Sequence, residues 1–312
     1  MNKTKIILNL ILLLYSYLLF SQNINYDSYS SLQNKCNNIF KNIDGCLGIV
    51  ELKSNKIITT VNKKLLIENR FKPGSIVKII TAIAAINSGK VDILEEFNCT
   101  GNANFDNESY KCWLPKGHSK VNLIKAISLS CNLYFLNIAS KLTIDEILST
   151  FAEFHFDEKT IFNISGEATG LFRKNKIDIE KYYLSIGCSE NLLVTPLQIL
   201  QMITFIANKK LPNTKNIDLN NPKFDPIYKG LRNSVLFGTS KESNYLKLQP
   251  AGKTGTISEK YNIKNSAWFI GYAPYYNPEI AIVIFIKNGR GATNAAPIAK
   301  KVFKCYYELF HR

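Results

Sequence analysis

The chain has 312 residues, of which 46% are hydrophobic and 20% charged, and this composition excludes an intrinsically disordered protein. The net charge of +15 comes mainly from lysines scattered along the chain. Because no basic run with interleaved aromatic residues is present, we expect no nucleic-acid partner.

The N-terminus has the pattern of an export segment. Lys3 and Lys5 precede a nearly unbroken apolar run, Ile6–Phe20. This run is short for a membrane span but within reach of an uncleaved anchor. Residues 1–22 are therefore predicted to be either a cleaved signal peptide or a retained membrane anchor. In both cases residues 23–312 form the exported domain, on the periplasmic or extracellular face of the cell membrane.

Two strands and a buried helix follow. Cys46–Lys53 and Lys56–Val61 alternate as strands, and the two residues Ser54-Asn55 between them predict a hairpin turn. Pro73-Gly74 then breaks the chain. Ser75–Ser88 is apolar on nearly every side, which is typical of a helix buried all round.

The middle of the chain has mostly helical periodicity, from Val91 to about Asn208. Leu123–Leu142 and Pro196–Ala207 are the clearest helices. Asn213–Pro226 is rich in Asn, Pro and Lys and is predicted to be a loop.

Strands return in the last third. Ala251–Ser258, Ser266–Ala273 and Ile280–Lys287 are separated by turn residues, and Ala292–Phe310 is predicted to be a closing helix. The predicted fold is α+β: a five-stranded antiparallel sheet built from both chain ends, flanked by helices, with an inserted all-helical lobe. A cleft between lobe and sheet is the expected place for a site.

Ser75 and Lys78 form the single Ser-x-x-Lys of the chain. Positions i and i+3 share a helix face, so the lysine amine can reach the serine hydroxyl. Apolar neighbours imply a dry setting, and desolvation lowers the pKa of a lysine until it can accept a proton. A serine activated in this way performs acyl transfer. On its own, a serine near a helix start is more often a cap.

Two further short segments occur in a fixed order. Ser130-Cys131-Asn132 lies in the helical region, and Lys253-Thr254-Gly255 lies in a predicted strand. Each triplet alone is weak evidence. Their order, and their placement on helix, lobe and strand, is specific.

With these residues the chain resembles the penicillin-binding transpeptidases, which share a fold and three motifs with serine β-lactamases. The resemblance covers about residues 45 to 305. The similar segments are Phe71–Lys78, Ser130–Phe135, Gly166–Gly170, Val194–Gln198, Ile206–Asn208, Gly252–Thr256, Ala267–Pro274 and Ala295–Ala299.

The resemblance implies a catalytic role for four of these residues. Ser75 would attack a D-alanyl-D-alanine stem peptide and expel D-alanine, and Lys78 would take its proton. Ser130, held by Lys78 and Lys253, would relay a proton to the leaving amine. Asn132 would orient Lys78 and the substrate amide.

The resemblance also assigns the predicted strand to the substrate. Lys253 is expected to complete the catalytic set and, with Thr254 and Thr256, to meet the terminal carboxylate. Gly255 would let the substrate lie close along the strand. The N–H groups of Ser75 and Thr256 would form the oxyanion hole.

Relatives differ in what removes the acyl group, and this leaves alternatives open. A class A β-lactamase needs a water activated by a glutamate. Glu167 is the candidate, but it lies in a loop that resembles the transpeptidases, and Leu171 stands four residues on, where an Asn is expected. A class D β-lactamase needs a supporting tryptophan, and the chain offers only Trp113 and Trp268. A D,D-carboxypeptidase remains an alternative. A β-lactam sensor is disfavoured because few residues precede the apolar run.

Cys99, Cys112, His118 and Cys131 form a second constellation beside the site. Three thiols and an imidazole can hold zinc tetrahedrally, although the spacing is not of the Cys-x-x-Cys kind. A Cys112–Cys131 disulfide, or thiols that are free or otherwise paired, are the alternatives. Apart from this zinc, no cofactor is expected. No Gly-x-Ser-x-Gly is present, which disfavours a Ser-His-Asp hydrolase.

The expected partners follow from the same resemblance. They are peptidoglycan stem peptides, β-lactam antibiotics, the membrane through the N-terminal segment, and a cell-wall synthesis complex. From the length we expect neither a glycosyltransferase domain nor the N-terminal pedestal that class B family members usually carry, so a division or elongation role is not assigned.

Overall fold

The computed structural model describes residues 27–212, 214, 216–258 and 265–311. The predicted export segment, residues 1–22, lies outside these ranges. Within the described ranges, no helix has both the length and the apolar character that a membrane crossing requires.

Helices and strands follow one another as expected for an α+β chain. The helices of the described residues are α1 (residues 27–40), α2 (Lys63–Glu68), α3 (Lys78–Ser88), α4 (Leu123–Leu129), α5 (Asn132–Lys141), α6 (Ile144–Ala152), α7 (Glu180–Ile186), α8 (Pro196–Ala207), α9 (Asp225–Leu236) and α10 (Ala296–Phe310). The strands are β1 (Gly45–Glu51), β2 (Lys56–Val61), β3 (Phe97–Cys99), β4 (Asn102–Phe105), β5 (Glu108–Lys111), β6 (Ser119–Val121), β7 (Leu171–Phe172), β8 (Leu192–Leu193), β9 (Ala251–Ser258), β10 (Asn265–Ala273) and β11 (Ile280–Ile286).

Strands from both chain ends build one five-stranded antiparallel sheet in the order β2-β1-β11-β10-β9. The first strand of the chain therefore pairs with the last, in a register that aligns Leu47 with Ile284. β10 pairs with β9 so that Trp268 lies opposite Gly255. The predicted sheet, with the helical lobe inserted between its two halves, is confirmed.

The central strand β11 is buried on both faces of the sheet, and its side chains alternate between two cores. Ile280, Ile282 and Ile284 enter the core beneath α1 and α10. Val283 and Phe285 enter the core shared with the lobe. This period of two is the geometry of a strand, and it explains why β11 is an unbroken apolar run.

The inserted lobe departs from the predicted all-helical composition in one respect. It also contains three two-stranded pairs, β3 with β6, β4 with β5, and β7 with β8. These strands have two to four residues each, which is too few to produce a clear period-two pattern in the sequence.

Two elements have bounds in the structure that differ from those predicted from the sequence. The hairpin turn between β1 and β2 has four residues, 52–55, because Glu51 pairs directly with Lys56 and the register shifts between Ile49 and Val50. The predicted helix Leu123–Leu142 is two helices, α4 and α5, and the break falls on the second motif.

Helix α9 was not predicted. The expected loop Asn213–Pro226 instead ends in a 3-10 turn, Pro222–Phe224, and Pro226 lies in the first turn of α9. Proline is tolerated there because the first N–H groups of a helix have no partner within the helix. The buried face of α9 includes Ile227 and Leu231, four residues apart.

Candidate active site and cysteine cluster

Ser75 lies in a tight turn at the start of α3. The turn is a 3-10 helix, Gly74–Val77, that runs directly into Lys78–Ser88. Gly74 has φ of +60°, a conformation that favours glycine, and a Cβ there would come within 2.8 Å of the Ile257 side chain. The N–H of Gly74 donates to the carbonyl of Gly187 at 3.0 Å. These contacts hold the turn of Ser75 against both β9 and the loop after α7.

Lys78 is fully buried and connects the first motif to the second. Its Nζ donates to Asn132 Oδ1 at 2.6 Å and to the carbonyl of Ser130 at 2.8 Å, and lies 3.4 Å from Ser130 Oγ. The Phe135 ring centroid is 5.5 Å from Nζ. Among the described atoms, Lys78 thus makes its hydrogen bonds to the second motif rather than to Ser75, and catalytic contacts often tighten only when substrate binds.

Burial changes the protonation of this lysine. Desolvation lowers the pKa of Lys78 to about 8, and the nearby thiols of Cys131, Cys112 and Cys188 oppose part of that shift. About a tenth of the amine is then neutral at pH 7, so Lys78 is able to act as a general base.

The break between α4 and α5 gives the second motif its geometry. Asn122 caps the N-terminus of α4, and its side chain accepts from the Lys125 N–H. It ends at Ser130, which has the left-handed values φ 55° and ψ 39°. In a continuous helix the Ser130 carbonyl would accept a backbone N–H from the next turn. Because the helix breaks, this carbonyl accepts from Lys78 instead. α5 then starts at Asn132, whose amide also donates to the Lys111 carbonyl.

The third motif lies on β9, the edge strand that borders the cleft. Thr254 Oγ1 donates to Thr239 Oγ1 at 2.8 Å. Lys253 is fully buried, and its Nζ donates to the Thr254 carbonyl at 2.9 Å. Desolvation, followed by the charge of Lys78, holds the pKa of Lys253 well below its usual value. The expected contact from Lys253 to Ser130 is not made among the described side chains.

The three motifs border one cleft of about 540 Å³. Its lining contains Ser75, Ser130, Asn132, Thr254, Gly255 and Thr256 from the predicted set. Lys78 and Lys253 lie behind this surface. The other residues that line the cleft were not assigned to the site from the sequence. They are Trp113, Ile186, Cys188, Thr239, Arg290, Ala292 and Thr293. Apart from a tryptophan close to the cysteine cluster, nothing in their local sequence indicates a site.

The residues considered for β-lactam hydrolysis make other contacts. Glu167 is buried and accepts a hydrogen bond from Thr160, and it does not line the cleft. The Trp113 indole donates to the Leu129 carbonyl, and the Trp268 indole donates to that of Lys72. Neither indole therefore supports a carboxylated Lys78.

The cysteine constellation comes together beside the second motif. The ligand atoms of Cys99, Cys112, His118 and Cys131 all lie within 4.8 Å of one another. His118 Nδ1 is 3.4 Å from Cys112 Sγ and 3.7 Å from Cys99 Sγ, and the sulfurs of Cys112 and Cys131 are 4.0 Å apart. Ligands at about 2.0 to 2.3 Å from a tetrahedral zinc are about 3.5 to 3.8 Å from one another. The distances from His118 match this geometry, and the longer separations, of up to 4.8 Å, would have to shorten for all four groups to bind one zinc.

The thiols of Cys112 and Cys131 differ in how readily each loses its proton. The hydrogen bond between the two sulfurs lowers the pKa of Cys112 and, with burial, raises that of Cys131. No disulfide joins them, since bonded sulfurs would be about 2.05 Å apart. A cation at this position would favour deprotonation of the thiols.

Curated proteins that resemble the chain are named as cell-wall enzymes. It is 27% identical to the peptidoglycan D,D-transpeptidase MrdA of Acinetobacter baumannii, over 91% of this chain and 46% of that protein. It is 26% identical to stage V sporulation protein D of Bacillus subtilis, over 78% of this chain and 43% of that protein. The chain thus spans less than half the length of these relatives.

Solved structures share the fold. The penicillin-binding protein PBP2 of Pseudomonas aeruginosa, in complex with WCK 5153, matches with a TM-score of 0.77 and 25% identity over 88% of this chain and 76% of that one. PBP2 of Helicobacter pylori, in complex with MreC, matches with a TM-score of 0.79 and 21% identity, over 90% of this chain and 63% of that one.

A family model covers most of the chain. The penicillin binding protein transpeptidase domain matches residues 45–304, a range that begins with β1 and ends within α10. It includes the Ser75 turn, the broken helix at Ser130 and strand β9, which are the elements that build the cleft. The chain belongs to the penicillin-binding protein transpeptidase domain family.

Proposed function

We propose that the chain is an acyl-serine D,D-transpeptidase that acts on D-alanyl-D-alanine stem peptides and is acylated by penicillin at Ser75. One observation carries the proposal: the buried amine of Lys78 hydrogen-bonds Ser130 and Asn132 directly behind the cleft that Ser75 lines. The relatives named as peptidoglycan D,D-transpeptidases support the same assignment.

The acylation step assigns each proton. Ser75 Oγ bonds to the carbonyl carbon of the penultimate D-alanine while its proton passes to Lys78 Nζ. The tetrahedral intermediate collapses, the C–N bond breaks, and the proton reaches the leaving amine through Ser130 Oγ, which lies 3.4 Å from Nζ. D-alanine departs and an ester to Ser75 remains.

The second step returns the enzyme to its starting state. An amine of a neighbouring stem peptide attacks the ester and loses a proton to Lys78, an amide forms, and Ser75 recovers its hydrogen. Water in place of the amine would make the enzyme a carboxypeptidase. The position of Glu167 outside the cleft favours a slow reaction with water, and so a long-lived penicillin adduct.

Labelling with a fluorescent penicillin tests this function. The full chain should form an adduct that survives denaturation, and Ser75→Ala should abolish it. Mass spectrometry after a stem-peptide mimic and an amine acceptor are added should find the amide product. Adduct loss within seconds would instead identify a β-lactamase, and release of the hydrolysed peptide alone would identify a carboxypeptidase. Labelling that persists in Ser75→Ala would overturn the assignment of the nucleophile.

The cellular setting is part of the proposal. The charged and apolar N-terminal segment, residues 1–22, would export the domain and either be cleaved or anchor it, which places the cleft on the outer side of the cell membrane. Because the Helicobacter pylori relative was solved with MreC, a cell-wall synthesis complex is the setting we infer. Detection of the mature N-terminus by mass spectrometry separates a cleaved signal from an anchor.

We also propose that the cysteine cluster holds a structural zinc. All four groups would be ligands, so no coordination position would remain open for catalysis. The metal would attach the β3–β6 region of the lobe to Cys131, which lies between Ser130 and Asn132. Its role would be to hold the second motif, with no part in the chemistry at Ser75.

Cobalt substitution tests the metal site. Co²⁺ in a three-thiolate site should give intense sulfur-to-cobalt charge-transfer and tetrahedral d–d absorption, at one cobalt per chain. Cys112→Ser should weaken these bands, whereas Cys188→Ser should leave them unchanged because Cys188 lies outside the cluster. Absence of the bands in reduced protein would refute the site.

A further inference from the structure

Two cysteines outside the cluster beside the second motif share one core. All seven cysteines of the chain fall within the described residues. Cys36 on α1 and Cys305 on α10 belong to the core beneath these two helices, on one face of the sheet. Cys46 enters the core on the other face, together with the lobe. Among the described residues of its own core, Cys36 therefore has Cys305 as the single other cysteine.

The two helices carry matching apolar stripes toward this core. On both helices the stripe positions are three or four residues apart: Leu32, Cys36 and Ile39 on α1, and Val302, Cys305 and Leu309 on α10. This is the spacing of a seam between two packed helices, in which side chains occupy successive layers. Each cysteine takes the middle position of its stripe.

A ring contact fixes the relative levels of the two helices. The Tyr29 ring, near the start of α1, lies 5.2 Å from the Phe310 ring, at the end of α10. Because the start of one helix meets the end of the other and both pack on the same core, the helices run antiparallel. Cys36 follows Tyr29 by seven residues and Cys305 precedes Phe310 by five. At about 1.5 Å per residue, the cysteines differ in level by about 3 Å.

This register brings the cysteines within the reach of a disulfide. Facing Cα atoms of two packed helices are about 4–6 Å apart. Combined with the difference in level, the Cα atoms of Cys36 and Cys305 are expected to be about 5–6.7 Å apart. A disulfide joins Cα atoms that are about 4.4–6.8 Å apart.

The surroundings of the two thiols make them unequal in reactivity. Burial raises the pKa of Cys36 to about 12, with a further contribution from the charge of the Cys305 thiolate. Cys305 is partly exposed, and the charges of Lys35 and Lys304 oppose the rise that burial causes in its pKa. Since the thiolate is the attacking form, Cys305 is the thiol that reacts first with an oxidant in solution.

We propose that Cys36 and Cys305 form a disulfide in the exported protein, which ties α1 to the closing helix α10. The inference rests on the proposed export, since disulfides form and persist in oxidising compartments. The oxidant is a small-molecule or protein disulfide. The Cys305 thiolate attacks one of its sulfurs and releases the first thiol, and the Cys36 thiolate then attacks Cys305 Sγ and releases the second. The two cysteines lose two protons and two electrons, and the oxidant becomes two thiols.

The bond acts on stability and has no part in the chemistry of the cleft. It closes a loop of the chain that contains both halves of the sheet, from β1 to β11. Closure of so long a loop restricts the unfolded chain and so stabilises the folded one. The bond lies on the face of the sheet away from the lobe, and neither cysteine lines the cleft.

Peptide mapping of the full chain tests the bond. The protein is equilibrated with equal concentrations of reduced and oxidised glutathione and digested without reduction. Mass spectrometry should find one peptide pair joined through Cys36 and Cys305, which reduction separates. Cys305→Ser should lack this pair, and Cys188→Ser, which removes an exposed cysteine outside this core, should keep it.

Thermal unfolding measures what the bond contributes. Reduction should lower the Tm of the wild type and of Cys188→Ser by roughly 5–10 °C, because a long loop is released. It should leave the Tm of Cys305→Ser unchanged. An equal fall in the wild type and in Cys305→Ser would assign the effect to other cysteines and overturn the stabilising role.

Two results of the mapping would overturn the inference. One is recovery of Cys36 and Cys305 as free thiols after the same equilibration, and the other is a bond from either of them to a different cysteine. Penicillin labelling separates this inference from the proposed function, since Cys305→Ser should be labelled like the wild type. A wild-type chain that forms the disulfide but is not labelled would refute the proposed function alone.

Discussion

Asn132 Oδ1 accepts a hydrogen bond from Lys78 Nζ at 2.6 Å, and this contact joins two motifs that are 54 residues apart. The same amide donates through its nitrogen to the Lys111 carbonyl, which fixes the orientation of the side chain. Asn132 therefore positions the amine of Lys78, which we propose as the general base for Ser75.

Asn132→Ala removes the acceptor closest to the lysine amine. We expect the rate of Ser75 acylation to fall about 10- to 100-fold, since a hydrogen bond to a charged group contributes about 1.5–3 kcal/mol. Stopped-flow or quench measurements with a labelled penicillin check this. Asn137→Ala, on the same helix but outside the cleft lining, is the control. An undiminished rate in Asn132→Ala would contradict the positioning role.

The acylation rate should rise with pH. Lys78 accepts the Ser75 proton only when its amine is neutral, and its pKa is lowered to about 8 by burial. The rate should climb by about tenfold per pH unit below that value and level off above it. The test is the pH profile of penicillin acylation under first-order conditions. A rate that falls as pH increases from 6 to 8 would exclude a neutral lysine base.

Asn132→Asp should move this profile in a known direction. A carboxylate at the position of Oδ1 would favour the charged amine, so the pKa of Lys78 should rise and the midpoint should move to higher pH. The rate at high pH should be largely retained because the acceptor remains. A midpoint that moves to lower pH would contradict the contact.

Two substitutions at Ser130 distinguish the effect of its backbone conformation on stability from the role of its hydroxyl in acylation. Its left-handed backbone costs a residue with a Cβ about 1–2 kcal/mol, and glycine adopts it freely. After allowance for the greater entropy of glycine in the unfolded chain, Ser130→Gly should be up to about 1 kcal/mol more stable than Ser130→Ala. Both variants lack the hydroxyl and should lose acylation. Thermal unfolding and penicillin labelling of the pair measure the two effects.

The zinc proposal predicts a stability that depends on metal. Removal of zinc by a chelator should lower the Tm by about 5 °C, because a metal at 100 times its dissociation constant stabilises by about 2.7 kcal/mol. Cys112→Ser should melt like the chelated protein with or without zinc. Cys188→Ser should keep the response of the wild type to the chelator. A wild-type Tm indifferent to the chelator would contradict the proposal.

The amino-acid pattern alone determined the sheet and the identity of the motif residues. β9, β10 and β11 were predicted almost to the residue, because a strand buried on one or both faces must carry its apolar side chains with period two or as a continuous run. α8 was predicted with its observed bounds from helical periodicity, and the structure shows a capping box of Thr195 and Gln198 at its start. The resemblance then identified Ser75, Lys78 and their partners by local spacing.

Only the tertiary structure decided how these residues meet. The helical pattern of Leu123–Leu142 runs through Ser130, but the helix breaks there, and the Ser130 carbonyl accepts a hydrogen bond from the buried Lys78 amine. The direction of Lys253 toward the Thr254 carbonyl is likewise set by burial. Arg290 reaches the cleft because the turn before α10 lies against β9. The four groups of the cysteine cluster meet through packing within the lobe, which short-range periodicity does not encode.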